Sequence, residues 1–207
     1  LAIVRSLGRR DVSVVAGGST QPTLGMLSRF SDDRYVHPDP SENHRTFIDH
    51  LLSYLDDRDH EFVFGPTDSM TYLLSKYGDE IESTGTRVAA EDWDTFQAVF
   101  DKARLFERVS SLNVPTPETT APAGLSEVER VASDLSYPVV VKPRSKTRWD
   151  EQGRRQTHLV DDRNYANSPS ELVETYGTLL SSTPELRDWR PLVQEYVPGE
   201  TTTTVVL

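Results

Sequence analysis

Residues Tyr137 to Arg144 read YPVVVKPR. Val139, Val140 and Val141 are consecutive and β-branched, the pattern of a short strand covered on both faces. Pro138 opens the run and Pro143 closes it, so the strand can be only a few residues long. Lys142 therefore stands at a strand end with a fixed aim. Its stem can cover the core edge while the ammonium snorkels to water, or the amine can serve a ligand. The segment alone leaves both readings open.

Composition narrows the setting. The chain has 207 residues, enough for one large domain or two small ones with a real core. It has no cysteine, which excludes disulfides, thiolate metal sites and a cysteine nucleophile. No apolar run approaches the roughly 18 residues of a membrane helix, and no charged-then-apolar leader opens the chain. The expectation is a cytoplasmic protein. The formal net charge is −11, the opposite of a nucleic-acid footprint. Only Lys76, Lys102, Lys142 and Lys146 are lysines; the other cations are arginines. An acidic, lysine-poor surface fits a halophilic protein, whose carboxylates stay hydrated in concentrated salt. The chain opens inside what reads as a helix, without an initiator methionine. It closes on Thr204-Val205-Val206-Leu207, in what reads as mid-strand. The expectation is a fragment of a longer protein.

Upstream of the valines, helices and strands alternate. Leu1 to Leu7 reads as a helix tail with Gly8 as its stop. Val12 to Ala16 reads as a strand and Gly17-Gly18-Ser19 as a turn; the full Gly-x-Gly-x-x-Gly spacing is missing, so a dinucleotide fingerprint is disfavoured. Tyr35-Val36 is a short strand. Asn43 to Leu55 is an amphipathic helix with Phe47, Ile48, Leu51, Leu52 and Leu55 on one face. Phe62-Val63-Phe64 reads as a buried strand, followed by Pro66-Thr67-Asp68-Ser69 at its carboxyl end. Ligands of open α/β sheets lie just outside such ends, so Asp68 and Ser69 are candidate substrate contacts. Alternatively Thr67 or Asp68 caps the helix Ser69 to Tyr77. The alternation implies a parallel, doubly wound sheet. Val88 begins a further strand or turn. Two helical stripes follow, Trp93, Phe96, Val99 and Phe100, then Leu105, Phe106, Val109 and Leu112, both read as core. Lys102 lies off the second stripe and points away from it.

Val114-Pro115-Thr116-Pro117 cannot be helical and reads as an extended linker, with a domain boundary just before it. Ser126-x-x-Glu129 reads as a capping box opening a helix. Beyond the valines, Arg144 to Arg155 is polar and holds Lys146, Arg148, Trp149, Gly153, Arg154 and Arg155. Cations concentrated in one loop of so acidic a chain favour an anionic ligand such as a polyphosphate; a disordered surface loop is the other reading. Gln156 to Val160 should return as a strand. Ser168-Pro169-Ser170-Glu171 is a strong helix start, with Leu172, Val173, Tyr176, Leu179 and Leu180 as the buried face. Leu192 to Val197 is the last complete strand, and Gln194 and Glu195 could be an exposed edge-strand pair. The five histidines form no His-x-x-x-His pair, so no metal site is assigned. No Gly-x-x-x-x-Gly-Lys loop and no Gly-x-Ser-x-Gly elbow occurs.

Three segments in this order carry a resemblance: DKARLFERVSSLNVPTPET (Asp101 to Thr119), YPVVVKPR, and LVQEYVPGE (Leu192 to Glu200). Together they resemble the ATP-grasp superfamily, in its carbamoyl-phosphate-synthase-like and carboxylate–amine ligase branch, from about Glu61 onward. The resemblance implies an α/β protein: a pre-ATP-grasp, Rossmann-like parallel-sheet domain over residues 1–112, then the first, α+β lobe of an ATP-grasp domain over 113–207. It implies an ATP-binding portion of a ligase that activates a carboxylate or bicarbonate as an acyl phosphate for attack by an amine or other nucleophile. Lys142 would meet the α- and β-phosphates and Lys102 would assist. Lys146 and Arg148 would belong to a phosphate-covering loop, which in the family is usually richer in glycine. Gln194, Glu195 and Val197 resemble the hinge beside adenine, and Glu200 the acidic residue that holds the ribose. Implied ligands are ATP, magnesium and a small carboxylate, with no nucleic acid and no membrane; a homo-oligomer is compatible. The magnesium ligands would lie beyond Leu207, no catalytic residue is assigned, and the fragment alone would not catalyse. The competing reading is a non-catalytic nucleotide- or metabolite-binding module that keeps the same shell. A Rossmann-type dehydrogenase is weaker, for want of the glycine fingerprint.

Overall fold

In chain order the elements are α1 (Ala2–Gly8), β1 (Val15–Gly18), β2 (Asp33–Val36), α2 (His44–Asp56), β3 (Phe62–Val63), α3 (Asp68–Lys76), α4 (Gly78–Glu82), β4 (Arg87–Val88), α5 (Trp93–Phe100) and α6 (Lys102–Ser110). There follow β5 (Thr119–Thr120), α7 (Leu125–Val131), β6 (Val139–Lys142), β7 (Thr147–Trp149), β8 (Arg155–Thr157), β9 (Tyr165–Ala166), α8 (Pro169–Ser182) and β10 (Leu192–Glu195). They come from a computed structural model that describes residues 1–200. The strand read into Thr204-Val205-Val206-Leu207 lies outside the described residues. The chain is mixed α/β, and it forms two units. Unit 1 holds Leu1–Phe96 and Thr147–Gln156; unit 2 holds Gln97–Lys146 and residues 157–200. Residues 97–112, which the sequence placed with the first domain, fall in unit 2. Among the described residues no helix is long and apolar enough to cross a membrane.

Unit 1 contains the predicted parallel pairing, but as two separate ribbons instead of one doubly wound sheet. β1 pairs with β2 and β3 with β4, each pair parallel. The core sits around α2. Asn43 caps that helix by accepting the Thr46 N–H at 2.9 Å. Its stripe of Phe47, Ile48, Leu51 and Leu55 is buried against Tyr35, Leu73, Leu74, Ile81 and Trp149. Each such side chain contributes about 1.5–3 kcal/mol of apolar burial.

Three expectations for this unit are corrected. Gly17 and Gly18 lie inside β1 and make no turn. A Cβ at Gly18 would run into Thr23 Cγ2, so close approach is what requires glycine there. Gly8 does not stop α1 through a left-handed conformation. It is the last helical residue, and a Cβ there would meet the Phe30 side chain. Phe62-Val63-Phe64 is not a buried strand: Phe62 is 54% exposed, with the Arg87 guanidinium lying 3.9 Å over its ring. Ring and cation cover each other outside the core, against which Val63 and Val88 of the same ribbon pack.

The polar stretch after β6 is an ordered hairpin in unit 1. β7 and β8 pair around a turn at Asp150 to Gly153, and Gly153 takes a φ of +77°, which favours glycine. Asp150 accepts the Arg154 N–H at 2.8 Å and pairs with its guanidinium at 3.0 Å. The hairpin is held by Trp149, which is 7% exposed. Its ring stacks on Tyr72 with centroids 4.5 Å apart, and its indole N–H reaches the Pro40 carbonyl at 3.2 Å. The His44 N–H donates to the Gly153 carbonyl at 2.9 Å and the Arg155 N–H to the Ser41 carbonyl at 2.8 Å. The expected return strand over Gln156 to Val160 is only β8, ending at Thr157.

Unit 2 is built on a four-stranded antiparallel sheet in the order β5-β10-β6-β9. α8 opens as expected, with Ser168 accepting the Glu171 N–H at 3.3 Å. α7 does not open with a Ser126–Glu129 capping box. Its N-cap is Gly124, Ser126 lies inside the first turn, and the Glu127 carboxylate satisfies the Ala123 N–H at 2.7 Å. α5 and α6 carry their apolar stripes, but no residue of either is fully buried, and Val99 and Leu112 are exposed. These stripes are therefore half-buried margins and not core.

Candidate functional site

The sheet of unit 2 sorts its side chains onto two faces. Residues opposite each other in an antiparallel ladder share a face, and the face alternates along each strand. Val139 pairs with Glu195 and Ala166, and Val141 with Val193. Val139, Val141, Ala166 and Val193 pack with Val128, Ala132, Leu172 and Tyr176 into an apolar core. Burial there pushes the Tyr176 phenol up to about 12, and its hydroxyl donates to the Pro191 carbonyl at 3.2 Å. The other face carries Lys142 opposite Leu192, Val140 opposite Gln194, and Thr119 on the far side of Gln194. The period-2 rule that buries three valines thus turns Lys142, Gln194 and Thr119 to one side.

Those three side chains are joined in a row. Lys142 Nζ donates to Gln194 Oε1 at 2.6 Å, Gln194 Nε2 donates to Thr119 Oγ1 at 2.8 Å, and the Thr119 hydroxyl donates to the Pro117 carbonyl at 2.9 Å. Gln194 is therefore no exposed edge residue. β10 is flanked on both sides, and the Gln194 side chain is buried. Lys142 is half-buried, and burial lowers its affinity for a proton.

Lys142 lines a cleft of about 200 Å³ with Lys102, Lys146, Pro143, His158, Leu159 and Val160. Three of the four lysines of the chain meet here. No carboxylate is among the lining residues. α6 brings Lys102 to the cleft through an ion pair. Asp101 N-caps α6 by accepting the Ala103 N–H at 2.9 Å, and the same carboxylate holds the Arg144 guanidinium through two bonds, at 2.8 and 2.5 Å. The Lys102 N–H adds a bond to the Arg144 carbonyl at 2.9 Å. Helix start and strand exit are thereby fixed together, which is why residues 97–112 belong to unit 2. Asp101→Asn keeps the cap's shape and removes the charge. We expect it to lower the stability of the protein by about 1.5 kcal/mol, the difference between a charged and a neutral bidentate pair, read from the urea midpoint.

The remaining sequence candidates separate. Glu195, Val197 and Glu200 are exposed, on β10 or just after it. Glu195 accepts the Glu118 N–H at 3.2 Å. Arg148 belongs to the β7–β8 hairpin of unit 1. Asp68 and Ser69 also lie in unit 1, in the first turn of α3, where Thr67 is the cap and accepts the Met70 N–H at 3.3 Å. The lysine cleft thus gathers Lys102, Lys142 and Lys146, with Gln194 bound to Lys142. Asp101, Arg144 and Thr119 were not among the sequence candidates. The Asp-Lys opening of α6 and the Lys-Pro-Arg exit of β6 carried the signal, but their pairing spans 43 residues and is set by the fold. Among the described residues no three His, Asp or Glu side chains gather to hold a metal ion.

No protein-family model matches the chain. Over 64 residues it is 31% identical to the carbamoyl phosphate synthase large chain of Archaeoglobus fulgidus, a stretch that is 31% of this chain and 6% of that one. Solved structures match almost the whole chain. The biotin carboxylase domain of Hydrogenobacter thermophilus 2-oxoglutarate carboxylase, solved with MgADP, ADP and bicarbonate, superposes with a TM-score of 0.69 at 16% identity, over 94% of this chain and 41% of that one. L-amino acid ligase from Bacillus licheniformis gives 0.67 at 14% identity, over 96% and 41%. N5-carboxyaminoimidazole synthetase from Staphylococcus aureus, solved with ADP, gives 0.61 at 12% identity, over 94% and 43%. This chain spans about two fifths of the length of these solved relatives. Over the matched span this chain shares the fold of these structures, in agreement with the resemblance stated from the three motifs.

Proposed function

We propose that this chain is the ATP-binding portion of an ATP-grasp ligase that activates a carboxylate or bicarbonate as an acyl phosphate. In this reading residues 1–112 are the pre-ATP-grasp domain with its connecting helix, the part from Gln97 packing with unit 2, and 113–207 are the first lobe of the grasp. The observation that carries it is the cleft lined by Lys102, Lys142 and Lys146 with no carboxylate on its wall. In a chain of net charge −11, such a cleft is a local well for a polyanion. Leu159, Val160 and Pro143 beside the lysines give it an apolar wall against which a base can lie.

The chemistry is phosphoryl transfer followed by acyl transfer. A carboxylate oxygen attacks the γ-phosphorus, the bond to the bridging oxygen breaks, and ADP leaves with that electron pair. An amine or other nucleophile then adds to the acyl carbon, and phosphate leaves. The residues of this chain contribute position and positive charge. Lys142, fixed by Gln194, faces the developing charge on the phosphates, and Lys102, fixed by the Asp101–Arg144 pair, supports it. Among the described residues no three His, Asp or Glu side chains gather to hold a metal ion, and no step is drawn through magnesium.

The test is thermal unfolding of the intact protein in concentrated salt, with and without Mg-ATP. Ligand at about 100 times its dissociation constant adds roughly 2.7 kcal/mol, which moves the midpoint by several degrees. A shift that GTP and NAD do not reproduce, with ADP released when carboxylates are supplied, is the expected result. A shift without ADP release for any carboxylate or bicarbonate leaves a nucleotide-binding module. No shift with any nucleotide, in folded protein, overturns the reading.

A further inference from the structure

Gln194 is the most deeply placed polar side chain on the lysine face of the sheet, at 5% exposure. Both ends of its amide are engaged inside the protein. Oε1 accepts from Lys142 and Nε2 donates to Thr119, whose own proton goes to Pro117. Its backbone lies in the middle of a sheet, bonded to β5 on one side and β6 on the other. Buried and held at both ends, this side chain is poorly placed to read the edge of a base. It does something else: it fixes the amine of Lys142.

The chemistry of the partner matters as much as its position. A glutamate would fill the same space and bind the ammonium more tightly. It would also cancel the charge that the cleft needs. Among the described residues Lys142 makes no ion pair, and the one hydrogen bond seen at its amine goes to this neutral amide. No carboxylate is among the residues lining the cleft, so the charge of Lys142 stays available to a ligand.

We infer that Gln194 is a positioning residue that aims Lys142 without neutralising it, so that affinity in this cleft rises with the number of phosphates on the ligand. The inference rests on the nucleotide reading above and adds what sets its selectivity. Thr119 takes part by fixing which end of the amide faces Lys142.

The experiment compares AMP, ADP and ATP at matched salt in the intact wild-type protein, Gln194→Glu and Gln194→Met. Gln194→Glu places a negative charge beside Lys142 and should lower ATP affinity by about tenfold or more, with a smaller loss on ADP and the smallest on AMP. Gln194→Met keeps the volume and drops the bond, and should weaken all three nucleotides by a lesser factor. Equal losses on the three ligands in Gln194→Glu, or a changed preference between ATP and GTP, would mean that Gln194 reads the base and would overturn the inference. Unchanged affinity in both variants would overturn it too.

A second readout needs no nucleotide. The chain has four lysines, so their side-chain NMR signals can be followed singly through a pH titration. Gln194→Glu should raise the Lys142 midpoint by about one pH unit or more, and Gln194→Met should not raise it. If wild-type protein binds no nucleotide, the functional reading falls. The Lys142 titration then decides the Gln194 assignment alone, and an unmoved midpoint in Gln194→Glu sinks it.

Discussion

Lys142→Ala in the intact protein will weaken ATP binding by at least about 2 kcal/mol, the scale of a lost charged hydrogen-bond partner, or roughly 30-fold in dissociation constant. Three features make the effect specific. Lys142 ends a strand whose three valines are buried, so its Cα cannot drift. Its amine is held by Gln194 at 2.6 Å, so its direction is set before a ligand arrives. No carboxylate lines its cleft to compete for the charge. The loss belongs to affinity and not to folding: the valines and the core of Val128, Leu172 and Tyr176 lie on the other face or along the strand. Isothermal titration at matched salt, with the unfolding midpoint measured beside it, separates the two. Affinity equal to wild type would remove Lys142 from the site.

Trp149→Ala is expected to lower the stability of unit 1 by about 3 kcal/mol or more, the range of an aromatic truncation in a core. Trp149 is buried among Tyr72 and the α2 cluster, and its indole N–H holds the Pro40 carbonyl. It is also the anchor of the hairpin. The other bonds holding the hairpin in unit 1 run mostly through backbone, from His44 to Gly153 and from Arg155 to Ser41. With the ring gone, residues 147–156 should lose protection from protease and from amide exchange before the rest of the unit does. Trp149→Phe should recover a large part of the loss through stacking on Tyr72. A Trp149→Ala protein with an unchanged urea midpoint and an uncleaved hairpin would show that the turn, with Gly153 at its left-handed position, holds by itself.

What the sequence made legible was local. The α2 stripe, the α8 start at Ser168 and the buried β6 each follow from periodicity or capping within a dozen residues, and each is found. The non-helical linker at Val114 to Pro117 follows from its prolines. The misses share one physical origin, dependence on a distant partner. Gly17 and Gly18 look like a turn because glycine usually is one; their role in β1 exists only because Thr23 and Tyr35 come close. Ser126 satisfies a capping pattern, yet the chain enters α7 through Gly124 and lets Glu127 take the loose N–H. The cation-rich stretch can be read from composition as a disordered surface loop, while the burial of Trp149 and the Asp150–Arg154 pair make it a packed hairpin. In the candidate site, Lys102 and Lys142 were visible as residue types at strand and helix ends. The Asp101–Arg144 clamp and the Gln194–Thr119 support were not, because 43 and 75 residues separate their members.

The two faces of the β5-β10-β6-β9 sheet also bear on how the protein finds its fold. A slip of β10 by one residue would exchange its faces. Gln194 would then press its amide among Val128, Leu172 and Tyr176, while Val193 would sit under the ammonium of Lys142. Either error leaves buried polar groups without partners, and the two arise together. The row that holds Lys142 in place therefore also rejects misaligned chains during folding. A substitution chosen to improve binding at Gln194 or Thr119 would change that rejection as well.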